Sequence, residues 1–358
     1  MFKVKNLFSK KQVAGLDIGS SSLKIVEILD TSKGYFLNNF SQVPLEKGTI
    51  ENGTLNDPEN LSRKIKELFK ASRCKTKKIV ASLSGHSVIV KKVSFTNMEE
   101  AELRELINDE AEKYLPFDDM KEVNFDFQML GESDINPNMM EVLLVAVKKN
   151  IIDSYTDAIE KARLNVIIMD VDSFALETMY ETNYDFEEGE IVVLVNIGAS
   201  MTNINVVKNG GSIFTRDFPM GGNNITEALR EKMGVTFEEA EAVKLEAENT
   251  DEAEESGPKE DLIRSADFLF LEIERSVDYF RSTCPREEIK QMLISGGCAK
   301  IPGLAGALSQ RLNIETELIN PFKNLSYNKK VFDPTYIEDI GPIAAVGVGL
   351  ALRRIGDK

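Results

Sequence analysis

Apolar and polar residues alternate with a period of two over VAGLDIG at 13–19 and again over SLKIVEIL at 22–29, with the hydroxyls of GSSS between them. That pattern predicts two paired strands joined by a turn of Gly19, Ser20, Ser21 and Ser22. Over 58–73 the period changes: Leu61, Ile65, Leu68 and Phe69 fall on one helical face, with Pro58 at the start. KIVASLSG and SVIVKKVSF read as strands. A helix over 97–115 is capped by Asn97 and ends before Pro116, VNFDFQML and MEVLLVAV are two more strands, and a helix covers 150–163. This β-β-α-β-β-α series is the order of a small α+β unit inserted in a larger domain.

The opening theme then returns. After the strand LNVIIMD and a helix come IVVLVNIG, MTNINVV and GSIFTRDF, and Asn196 stands 179 residues after Asp17. A supersecondary unit repeated at half the chain length predicts two facing domains of like architecture. The acidic stretch 246–261 reads as a solvated loop. Leu262, Ala266, Leu269, Ile273, Val277 and Phe280 make one long amphipathic helix. MLISGGCAKIPGL gives a buried strand, a double-glycine turn and a helix start at Pro302, and IEDIGPIAAVGVGLALRR is a closing helix of small residues.

A length of 358 residues agrees with two domains, and a net charge of −16 with no long basic stretch argues against a nucleic-acid partner. Cys74, Cys284 and Cys298 form no CxxC pair, which predicts a reducing, cytoplasmic setting without disulfides or a zinc site. The only histidine, His86, sits in a Gly-His-Ser turn and offers no histidine metal site. No run of about 18 apolar residues and no secretory signal is seen, although MFKVKNLFSKK interleaves apolar residues with lysines in a way that suits weak contact with an anionic bilayer.

The GSSS turn suits a polyphosphate, because glycine lets backbone N–H groups approach and the hydroxyls add donors. Lys24 supplies a point charge for a phosphate, and Asp17 suits a hydrated Mg²⁺. Asn196, Gly198, Ala199, Ser200 and Thr202 repeat that chemistry in the second half, so two clamps imply one ligand between them. Ser295-Gly296-Gly297, followed by Lys300, offers bare backbone for a nucleoside. Glu241 and Lys244, three residues apart on a helix, either bracket a ribose and base or form a surface ion pair.

With these motifs in order, the chain resembles the actin-like ATPase superfamily over nearly its whole length. DIGSSSLK looks like the first phosphate motif, NIGASMTN like the second, LISGGCAKIPG like the adenosine motif, and GPIAAVGVGLAL like the second connecting segment. The resemblance implies an α/β, actin-like (ribonuclease H-like) two-lobe fold that closes over ATP and Mg²⁺, with Gly222 among the nucleotide-binding residues. It also makes Asp172, in the first connecting segment, the residue that positions the attacking water. The implied organisation is a first lobe of 1–80 with 163–187 and 337–358, and an FtsA-type insertion at 81–162. A second lobe of 188–235 with 290–336 carries a helical outer part at 236–289.

Within the superfamily the chain is similar to the FtsA branch, but it stops at ALRRIGDK where FtsA continues to a membrane helix. DIGSSSLK, EAEKYLPFD at 110–118, MDVDSFALE at 169–177 and GGNNIT at 221–226 resemble the shorter PilM family of type IV pilus assembly. That implies a cytoplasmic ATP-binding adaptor at the inner face of the inner membrane, docking the short N-terminal tail of the membrane protein PilN. The expected dock is a groove between the insertion and its neighbouring lobe, and contacts with pilus motor ATPases and self-association are further expectations. One departure stands out: the superfamily usually has Asp where this chain has Asn196, which implies slow hydrolysis or none. A filament-forming ATPase and a small-molecule kinase are the other readings.

Overall fold

The computed structural model describes residues 12–85, 88–117, 119–133, 136–248 and 258–354. The basic start, His86 and most of the acidic stretch at 246–261 lie outside the described residues. Strands β1 (Ala14–Ile18), β2 (Ser22–Thr31) and β3 (Gly34–Pro44) form an antiparallel meander. A two-residue pair, β4 (Ile50–Glu51) and β5 (Thr54–Leu55), follows. Helix α1 (Pro58–Ser72) starts as expected, with Pro58 in its first turn and Asp57 accepting from the Asn60 amide at 2.9 Å, and it leads to β6 (Lys78–Leu83).

A separate three-stranded sheet comes next, built from β7 (Val88–Thr96), helix α2 (Glu100–Tyr114), β8 (Val123–Glu132) and β9 (Met139–Lys148) in the order β7-β9-β8. It has its own core, in which Leu103, Ile107 and Ala111 of α2 cover Val93, Val142 and Leu144. Asn97 does not cap α2: its amide donates to the Pro137 carbonyl at 2.9 Å and ties two loops of the insertion, while Glu99 precedes the helix without a capping bond.

Helix α3 (Lys149–Lys161), β10 (Asn165–Val171) and α4 (Asp172–Asn183) return to the first lobe. Tyr155, Ala158 and Ile159 of α3 pack with Leu16, Leu61 and Ile65, and β6 pairs with β1. The expected β-β-α-β-β-α series is therefore divided by its packing: β6 and α3 are buried in the lobe, and the unit with its own core runs from β7 to β9.

The second lobe repeats the first. It comprises β11 (Ile191–Ile197), β12 (Thr202–Lys208), β13 (Gly211–Phe218), α5 (Gly222–Met233), α6 (Phe237–Glu248), α7 (Pro258–Ser265), α8 (Asp267–Thr283), β14 (Ile289–Ser295), α9 (Leu304–Leu312) and β15 (Glu315–Leu318). Its sheet order, β13-β12-β11-β14-β15, matches β3-β2-β1-β6-β10 of the first lobe strand for strand, with the same antiparallel and parallel pairings. The long helix expected from Leu262 to Phe280 is two helices. The Ala266 amide bonds back three residues to Ile263 at 3.0 Å instead of four, which breaks the α-helical ladder between α7 and α8. Helix α9 starts at Leu304, after Gly303 at φ 82°, rather than at Pro302.

Strand β16 (Ser326–Tyr327) adds to the first sheet beside β3, and α10 (Pro334–Leu352) closes the fold. Helices α4 and α10 lie between the two sheets, where Ala175, Leu176, Ala344, Val348 and Leu350 share one core with Val26 and Val80 of the first lobe and Leu194 and Leu293 of the second. Small residues set that spacing: a Cβ on Gly349 would fall 1.8 Å from the Ala175 carbonyl oxygen, and one on Gly15 2.4 Å from that of Gly347. Helix α10 is long and apolar enough to cross a membrane, but most of it is buried inside the protein.

Candidate functional site

The two glycine turns are structural equivalents. The Gly19 amide donates to the Ser22 carbonyl at 3.2 Å, and the Gly198 amide to the Met201 carbonyl at 2.9 Å. Each turn is framed by a pair seven residues apart, Asp17 opposite Lys24 and Asn196 opposite Asn203. In the first lobe the pair is an ion pair at 3.1 Å, while in the second it is neutral, with the Asn196 amide donating to the Asn203 side-chain oxygen at 3.2 Å. The exchange of Asp for Asn at the second turn is thus matched by an exchange of Lys for Asn across the ladder. The turns also meet, since the Ser200 hydroxyl donates to that of Ser20 at 2.7 Å.

The second turn is braced from behind. The Gly222 and Asn223 amides at the start of α5 donate to the Gly198 and Ala199 carbonyls at 2.9 and 2.8 Å. Thr202 does not offer its hydroxyl to the cleft: the side chain is fully buried and donates to the Met220 carbonyl at 2.8 Å. Nor do Glu241 and Lys244 make a surface pair. Lys244 is 4% exposed, and its ammonium bonds Glu241 at 2.6 Å and the Thr226 hydroxyl at 2.9 Å. A Cβ on Gly222 would sit 3.2 Å from that ammonium and 2.3 Å from the Cys298 sulfur, so this corner is filled by protein.

The double glycine divides its tasks. Gly296, at φ 89°, presses against the Ile197 carbonyl with no room for a side chain, and its amide donates to the Pro342 carbonyl of α10 at 2.9 Å. A Cβ on Gly297 meets nothing within 4 Å, which is the open, bare backbone a flat ring needs. Lys300 points elsewhere, with its ammonium 2.5 Å from Asp339 of α10, so it ties the second lobe to the connecting helix.

Asp172 stands at the start of α4, where β10 ends. Its carboxylate accepts from the Ser82 hydroxyl at 2.5 Å. Burial, and next the negative charge of Asp17, push it up to about 7; Ser82 and Ser84 favour the ionised form, and Asp217 opposes it. A carboxyl poised near neutrality suits exchanging a proton with a water. The structure thus brings Asp17 to Lys24 and, across the lobes, Ser200 to Ser20, sets Asp172 near enough to feel the charge of Asp17, and leaves Gly297 exposed just beyond β14.

The donor set fits a triphosphate with Mg²⁺. Backbone amides, hydroxyls and Lys24 at the turns suit phosphate oxygens, and the Asn203 amide nitrogen is a buried donor without an acceptor at the position equivalent to Lys24. Asp17 is a hard oxygen donor of the kind a hydrated Mg²⁺ takes. Sequence reasoning missed Ser82, Asn203 and Asp217. The pairing of Asn203 with Asn196 was readable from the 179-residue repeat, whereas Asp217 gives no local signal.

Comparison with known proteins places this geometry. The chain matches the family described as type IV pilus assembly protein PilM over residues 15–355. It is 24% identical to the cell division protein FtsA of Bacillus subtilis (strain 168), covering 94% of this chain and 81% of that protein. The solved PilM-PilN type IV pilus biogenesis complex superposes with a TM-score of 0.84 at 26% identity, covering 96% of this chain and 98% of that one. MreB 5 of Spiroplasma citri bound to AMPPNP gives a TM-score of 0.51 at 11% identity, with 95% and 94% covered, and shares the fold alone. The fold is that of the actin-like ATPases, in two lobes, and the chain belongs to the PilM family of type IV pilus assembly proteins.

Proposed function

We propose that this protein is a nucleotide-stabilised adaptor that binds ATP with Mg²⁺ between its lobes and docks the short cytoplasmic N-terminal tail of PilN. The observation that carries the nucleotide part is that the two turns face each other, with the Ser200 and Ser20 hydroxyls 2.7 Å apart, so that a phosphate chain entering between them would be held by both. Gly19, Ser20, Ser21, Ser22, Gly198, Ala199 and Ser200 would hold the phosphates, Lys24 would balance their charge, Asp17 would hold the hydrated Mg²⁺, and Gly297, set in place by the buried Gly296, would face the nucleoside. Bound ATP supplies a phosphoanhydride, and Asp172 is the residue placed to orient a water. Asn196 brings no charge to the metal's water shell, so hydrolysis is slow and the nucleotide chiefly fixes the closure of the lobes. Partner capture is supported by the likeness to a PilM chain solved with PilN, and the groove between the β7–β9 unit and its neighbouring lobe is the dock we assign to it. The site of action is the cytoplasmic face of the inner membrane, reached through that partner, with contacts to motor ATPases and self-association belonging to the same proposal.

The test is mass spectrometry of the purified protein for co-purifying ATP or ADP, repeated with Lys24→Ala, with anisotropy titration of a labelled PilN tail peptide. Nucleotide in the wild type and its loss in the variant, with saturable peptide binding, is the expected result. No nucleotide in either sample, and none bound on addition, overturns the nucleotide reading. ATP-dependent sedimentation without peptide binding would favour a filament-forming ATPase instead.

A further inference from the structure

The insertion leaves the first lobe through Ser82, Leu83, Ser84 and Gly85, and this short junction touches the cleft at several points. Ser82 donates to Asp172 at 2.5 Å, and Ser84, two residues on, is near enough to favour that carboxyl's ionised form. The Gly85 amide donates to the Asp217 carboxylate of β13, across the lobes, at 2.7 Å. Gly85 is also pressed against the second turn: at φ 80°, a Cβ there would lie 3.1 Å from the Met201 side chain. From the first-lobe side the β4–β5 turn closes in, with a Cβ on Gly53 only 2.5 Å from the Ser84 carbonyl oxygen. The Gly53 carbonyl is itself held by the Tyr155 hydroxyl at 3.2 Å.

Beyond this point the insertion and the second lobe separate. A cavity of about 300 Å³ lies between Val88–Val90 of β7 and Thr215–Asp217 of β13. An open groove of about 1150 Å³ continues between Lys92, Phe127 and Met129 on one side and Gly211, Ile213 and Arg286 on the other. Near its root, then, the insertion is tied to the second lobe by a carboxylate–amide bond, with a cavity alongside it.

We propose that the Ser82–Gly85 junction couples the nucleotide cleft to the orientation of the inserted unit, with Asp217 as the positioning residue that carries second-lobe movement to it. The inference rests on the nucleotide reading above. A change in lobe closure shifts β13 and the second turn together, and Asp217 and Met201 pass that shift to Gly85. Ser82 and Ser84 meanwhile report on the group at Asp172. A two-state element biased from both sides is what coupling between distant sites requires.

The experiment is amide hydrogen exchange of the full chain, read in peptides covering 88–96 and 139–148, with and without Mg-AMPPNP at a saturating concentration set separately for each protein. In the wild type, AMPPNP changes the exchange rates there by about fivefold, the low end of ordinary inter-site coupling. Asp217→Ala reduces that ratio to near one, while Asp217→Asn, whose side-chain oxygen still accepts from Gly85, retains most of it. Rescue by Asn separates a positioning role from a loss of folding. An unchanged ratio in Asp217→Ala, or a wild-type insertion that does not respond to bound AMPPNP, overturns the coupling alone. Failure of the wild type to bind AMPPNP overturns the nucleotide reading and the coupling with it.

Discussion

Replacing Asp172 by Asn tests the electrostatics of the cleft without using any ligand. The isostere keeps an oxygen for the Ser82 hydroxyl and removes only the charge. The carboxyl rises from an ordinary 3.8 to about 7 in the folded protein. At about 1.36 kcal/mol per unit this corresponds to roughly 4 kcal/mol, and because Asp172 is only half-buried, solvent lowers the expected figure to about 2–4 kcal/mol. The folded state binds more protons than the unfolded one between these two values, so this group's stabilising contribution is full below about pH 4 and is lost as pH rises through 7. The Asn variant has no such loss. Its stability relative to wild type therefore climbs between pH 4 and pH 7 and levels off near pH 8. Thermal denaturation of both proteins without nucleotide, at fixed ionic strength and half-unit pH steps, gives the difference directly. A difference that stays constant across the range, or that moves in favour of wild type as pH rises, refutes the assignment of a buried, repelled carboxyl.

Three further substitutions separate the parts of the account. Gly297→Ala meets open space, so it changes stability by no more than an ordinary surface substitution, about 0.5 kcal/mol, yet weakens ATP in a calorimetric titration. Equal ATP affinity would remove the nucleoside from that backbone. Gly349→Ala drives a methyl into the Ala175 carbonyl between α4 and α10, and its cost of about 1–3 kcal/mol or more is read by denaturant unfolding, with an unchanged midpoint refuting the close crossing. Asn196→Asp restores a charge at the second turn, and phosphate release rises by about 10–100-fold if a missing charged partner is what limits turnover. No increase would place the limit elsewhere, for instance in Asn203, which lacks the ammonium that balances Asp17 in the first lobe.

The strands and turns that build the site are legible because their signals are local. Alternation around Asp17 and Asn196, with a glycine two residues after each, specifies two hairpins, and the repeat distance predicts sheets that match strand for strand. Signals that depend on tertiary partners mislead. Asn97 looks like a helix cap until the Pro137 carbonyl takes its amide, and Ala266 continues a helical pattern that the backbone breaks. Residue type and spacing offer Thr202, Lys244 and Lys300 to the ligand, but each side chain is bound by a protein partner: the Met220 carbonyl, Glu241 with Thr226, and Asp339. Asp217 is invisible in the sequence because its partner, Gly85, is 132 positions away and at the root of the insertion. Apolar periodicity also cannot say which sheet a strand joins, and so it draws β6 and α3 into the insertion.

The central claim is that both turns grip one triphosphate. Ser20→Glu and Ser200→Glu place a carboxylate against the phosphates from opposite lobes, and calorimetric titration of Mg-ATP, with adenosine as the uncharged control, reads each turn separately. Like charges in a partly desolvated cleft cost several kcal/mol, so each variant is predicted to lose ATP affinity by about 100-fold or more while binding adenosine as the wild type does. Wild-type ATP affinity in either variant would contradict a shared grip.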